Sequence, residues 1–75
     1  MEVSELARGL AVEHMEACSQ LDVKKTHRID RPYGYFGQRD EIATALEGYL
    51  QEFVAGKQFE VSHEGRDSYL VKRVM

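Results

Sequence analysis

The sequence predicts an α+β fold in the order α-β-α-β-β, with two helices packed on one face of a small three-stranded sheet. Three observations predict it. First, apolar residues recur at steps of three and four in two stretches. One runs through Val3, Leu6, Ala7, Leu10, Ala17, Cys18 and Leu21, the other through Ile42, Ala43, Leu46, Tyr49, Leu50, Phe53 and Val54. Each is the pattern of a helix with one buried face. Second, the segments 21–29 and 58–74 change to a period of two, as half-buried strands do. Third, Gly65 within the EGRD stretch at 64–67 divides the second of these segments into a hairpin. The 75 residues make one compact domain, 1–75. At this size roughly 60–65% of the unfolded chain's surface can be buried, so the core is small.

The first helix is expected over 2–19, with His14 on its apolar stripe and Ala11, Val12 and Met15 beside it. The strand expected over 21–29 puts Val23, Lys25, His27 and Ile29 on one face and Asp22, Lys24, Thr26 and Arg28 on the other. Val23, Thr26 and Ile29 are β-branched and favour a strand, and the charged pair Lys24 and Lys25 suits a sheet edge. Residues 30–38, DRPYGYFGQ, read as a loop because Pro32 lacks an amide donor and Gly34 and Gly37 permit positive φ. That loop carries three aromatic residues, Tyr33, Tyr35 and Phe36.

The second helix, expected over 39–55, is the element around which the rest is organised. Asp40 and Glu41 begin it, where carboxylates complement the helix dipole, and Gly56 suits a C′ stop. In the hairpin, Phe59, Val61, Tyr69 and Val71 are expected on the core face, with Leu70 and Val74 on the opposite one. A slip of one residue would exchange the two faces. This layout resembles that of the small single-stranded nucleic-acid-binding domains named for their arginine-and-histidine motif. That family's signature needs an Arg and a His four positions apart near the start of the second helix. Here Arg39 is followed at that spacing by Ala43, so neither the family's function nor its residues carry over.

The net charge of -3 is segregated. Residues 1–19 carry four glutamates against Arg8, and 39–56 carry four acids against Arg39. Residues 20–38 are basic, with Lys24, Lys25, Arg28 and Arg31 against Asp22 and Asp30. No apolar run is long enough to cross a membrane. One unpaired Cys and no secretion signal point to a cytoplasmic protein without a disulfide staple. A homodimer is the simplest reinforcement for so small a core.

No catalytic set is expected, because Cys18 and His14 fall on the buried stripe and no glycine loop matches a nucleotide-binding pattern. His14 and Cys18 lie four apart, a chelating spacing that His27 and His63 could complete. Without a second close-spaced pair, no metal and no cofactor are expected. The expected function is therefore that of a small non-enzymatic adaptor, inhibitor or subunit that binds another protein. Its expected contact residues are Lys24, Arg28, Arg31, Tyr33, Tyr35, Phe36, Arg39 and Lys72. A nucleic-acid-handling protein would suit the acidic helix faces. The alternative is a single-stranded nucleic-acid-binding module that uses the basic and aromatic segment 24–39, with cations for phosphates and rings for bases.

Overall fold

A computed structural model describes residues 2–30, 38–64 and 68–75. Its elements are α1 (Val3–Ser19), β1 (Thr26–Asp30), α2 (Arg39–Phe53), β2 (Phe59–Glu64) and β3 (Ser68–Arg73). The order is the α-β-α-β-β of an α+β fold, and the three strands form one antiparallel sheet in the order β1-β3-β2. The hairpin strand β3 is central, and β1 pairs with its other side.

Register fixes which side chains meet the helices. Ile29, Tyr69, Val71 and Phe59 are buried, and Val61 packs against them. Neighbours on alternate positions, Thr26, Arg28, Glu60, Ser62 and Lys72, are exposed. Both helices therefore cover the same face. From α1 come Leu6, Ala7, Leu10, Ala11 and Cys18, and from α2 come Ile42, Ala43, Leu46 and Leu50. The alanines among them leave the helices room to pack closely. Indeed, α1 packs principally against α2, while α2 also lies along β2 and α1 touches β1 least.

α2 ends at Phe53, two residues before the expected end, and Val54 caps it by donating its amide to Leu50 O at 2.9 Å. Gly56, at φ 82, turns the chain beyond that cap. α1 has no basic residue in its last turn. Cations from elsewhere in the chain complement its C-terminal carbonyls instead: Lys57 Nζ donates to Ser19 O, and Arg73 Nη1 donates to Leu21 O at 2.8 Å.

The strand expected over 21–29 begins five residues late. Asp22 O accepts the amide of Lys25 at 3.0 Å, which closes a four-residue turn with Lys24 at φ 73 in its third position. Lys24 then donates its amide to Arg73 O at 2.7 Å, while Arg73 donates its own to Lys25 O at 3.1 Å. Two residues of one strand thus oppose a single residue of the other, the first of them left-handed: a G1 bulge entered through a type II-like turn. Glycine normally fills that first position, so a lysine there gives the sequence no turn signal. Val23 accordingly lies 47% exposed in the turn instead of on a core-facing strand.

Candidate functional site

The face of the sheet away from the helices is built in three cross-strand rows. Thr26, Lys72 and Glu60 form one; Arg28, Leu70 and Ser62 the next; Asp30, Ser68 and Glu64 the third. Two of the expected contact residues, Arg28 and Lys72, lie here on adjacent strands in neighbouring rows, diagonal to each other. Their surroundings are more acidic than the expected basic surface. Glu60 stands opposite Lys72, and Asp30 Oδ1 lies 3.8 Å from Arg28 Nε. Both partners of that ion pair are mostly exposed, so it contributes little to stability. The face thus offers two cations, three carboxylates and a half-buried Leu70 at its centre. The two-residue periodicity that put Phe59 and Val61 inward already put Glu60 outward, whereas Glu64, expected in the turn, continues β2 and pairs with Ser68.

The other expected contact residues fall elsewhere. Lys24 does not share a strand face with Thr26 and Arg28, because it occupies the left-handed position of the bulge. Arg39 is the first residue of α2. Arg31, Tyr33, Tyr35 and Phe36 lie outside the described residues. Arg73 and Lys57 are engaged with the end of α1.

The four candidate metal ligands divide into separate environments. His14 Nδ1 and His27 Nε2 face each other at 3.0 Å, with ring centroids 5.2 Å apart and planes tilted by 50°. The helix brings residue 14 over β1, and the inward-facing position of His27 meets it at the margin of the core. Burial and then the neighbouring His14 hold the His27 pKa below its ordinary value. His63 instead meets Asp40, its Nε2 lying 2.8 Å from Oδ1. Cys18 is fully buried, and burial pushes its thiol up to about 11. It stays protonated at neutral pH, which makes it a core-filling side chain and a poor nucleophile. Among the described residues, no group of three or more His, Cys, Asp or Glu converges on a point.

One surface was not anticipated from the sequence. Met15, Glu16 and Ser19 of α1 form a shallow groove with Phe53, Val54, Ala55 and Lys57 at the end of α2. The place of Met15 beside the main apolar stripe is the signal that could have indicated it. No described helix is long and apolar enough to cross a membrane. No family model matches the chain, and neither a curated protein nor a solved structure matches it.

Proposed function

We propose that this is a small non-enzymatic protein that acts by binding another protein through the open face of its sheet. The observation that carries the reading is the alternation of Arg28 and Lys72 with Asp30, Glu60 and Glu64 around Leu70. A nucleic-acid strand is a continuous line of negative charge and favours a continuous basic track. Three carboxylates among two cations interrupt such a track. A protein surface can match mixed charges pair by pair, with an apolar residue at the centre and a polar rim. The protonated thiol of Cys18 and the separation of the histidines into different pairs favour a binding role over catalysis.

The test is capture of a partner by the full chain, with and without nuclease, compared with the double variant Arg28→Gln, Lys72→Gln. Both side chains are exposed, so the double variant should melt as the parent does. Capture should survive nuclease and be lost in the double variant. Binding to single-stranded oligonucleotides that falls steeply with rising salt would replace this reading with the nucleic-acid one, centred on segment 24–39.

A further inference from the structure

We propose that His14 and His27 form a two-imidazole site for a divalent transition-metal ion of the zinc, nickel and copper class, on the helix-covered side of the sheet and independent of the binding face. The geometry argues for it. Two nitrogens bound to one such ion at about 2.0–2.1 Å stand about 2.9 Å apart at right angles and about 3.3 Å apart in a tetrahedral arrangement. The 3.0 Å between His14 Nδ1 and His27 Nε2 falls inside that range. The separation thus already suits an ion, and binding requires each ring to turn so that its lone pair aims at the ion instead of at the other nitrogen.

The scaffold holds this separation. His14 lies within the 17-residue α1, more than a turn from its end, and His27 is in β1, paired with Val71 of the central strand. Imidazole is a ligand of intermediate softness and selects zinc, nickel and copper over magnesium and calcium. Coordination also requires neutral rings, the major form of an imidazole above its ordinary pKa of about 6.5. Both rings are only partly buried, which leaves solvent to fill the ion's remaining positions. Cys18, one helical turn beyond His14, does not join the pair: among the described residues no three His, Cys, Asp or Glu side chains converge on a point.

The experiment titrates the full chain with Zn²⁺ and with Ni²⁺ in a non-chelating buffer, above the ordinary imidazole pKa of about 6.5. Heat of binding, melting temperature and the nitrogen chemical shifts of the histidine rings are recorded. The expected result is one ion per chain, a saturable rise in melting temperature reversed by a chelator, and shifts at Nδ1 of His14 and Nε2 of His27. His14→Gln and His27→Gln should each weaken binding by more than about 10-fold, since removing a group that only orients a metal ligand already costs about 10–100-fold. His63→Gln should leave binding unchanged. Should either glutamine variant fold poorly, the other variant and the ring shifts still decide the matter. The proposal is overturned if affinity survives both substitutions, if it is lost with His63→Gln, or if ring shifts and melting temperature stay fixed at millimolar metal. In that last case the two rings share only a hydrogen bond.

Discussion

On the β2 side of the sheet, α2 reaches down and grips the strand. Glu47 Oε1 accepts the outward-pointing amide of Val61 at 2.9 Å, and Asp40 meets His63 at the far end. On the β1 side, α1 meets the strand through the paired rings of His14 and His27, and the strand enters through a bulge with a lysine where glycine fits best. The lesson lies in how the two edges are finished. The β2 edge has a backbone donor satisfied by a side chain, which discourages pairing with other chains. The β1 edge is finished by charge and by the bulge. Two of the expected contact residues, Lys24 and Arg28, fall on this less supported side, and surfaces that bind are commonly drawn from the less stable parts of a fold.

Removing Leu46, fully buried in α2, should have the largest effect. Leu46→Ala is expected to cost about 2–5 kcal/mol, a large part of the total stability of so small a domain. Thermal melting measures it, and a midpoint within a few degrees of the parent would remove α2 from its organising place. Glu47→Ala is expected to cost about 1 kcal/mol, below the roughly 1.5–3 kcal/mol of a bond to a charged group because water can partly replace it. Glu47→Gln should retain most of the stability. If the alanine variant also begins to self-associate in sedimentation, the carboxylate guards the edge; unchanged melting and sedimentation would show that the two edges do not differ in this way.

Acid should loosen the β1 side first. The His27 pKa is lowered by folding, so its contribution is complete above the unfolded value of about 6.5. It is lost as pH falls through the lower folded value, because the unfolded chain takes up the proton more readily. Hydrogen exchange should show β1 amides losing protection before β2 amides below about pH 6.5, and His27→Gln should reduce that difference. Equal loss along both strands would break the comparison. The smallest effect is a gain: Lys24→Gly relieves the left-handed φ and should raise stability by up to about 1 kcal/mol, after the extra freedom of glycine in the unfolded chain is set against it.

Most of the fold was legible in the sequence because burial imposes periodicity. The stripe of Leu6, Leu10 and Cys18 placed α1 to within a residue at its start. The alternation of Phe59, Val61, Tyr69 and Val71 set the hairpin register correctly. The bulge escaped because the signal for a left-handed residue is glycine, and Lys24 carries none. Of the candidate site, the outward placement of Arg28, Lys72 and Glu60 was readable from the same alternation. The contact between His14 and His27 depends on how far α1 lies over β1, a tertiary distance that no local pattern encodes. So does the engagement of Arg73 and Lys57 with the end of α1.

The strand order has a consequence for how the chain comes together. β3 lies between β1 and β2, yet it follows both in the chain, and its ladder with β1 joins residues from 38 positions apart, Asp30 with Ser68, to 46 apart, Thr26 with Lys72. Until β3 has left the ribosome, neither earlier strand has its neighbour in the sheet. During synthesis the two helices can meet first and hold their apolar faces together while both strands wait, and β3 then docks against both. Closing loops of this length slows folding relative to a bundle with local contacts. A nascent chain arrested before Ser68 would expose two unpaired strands, and unpaired strand edges are what make partly made chains prone to aggregate.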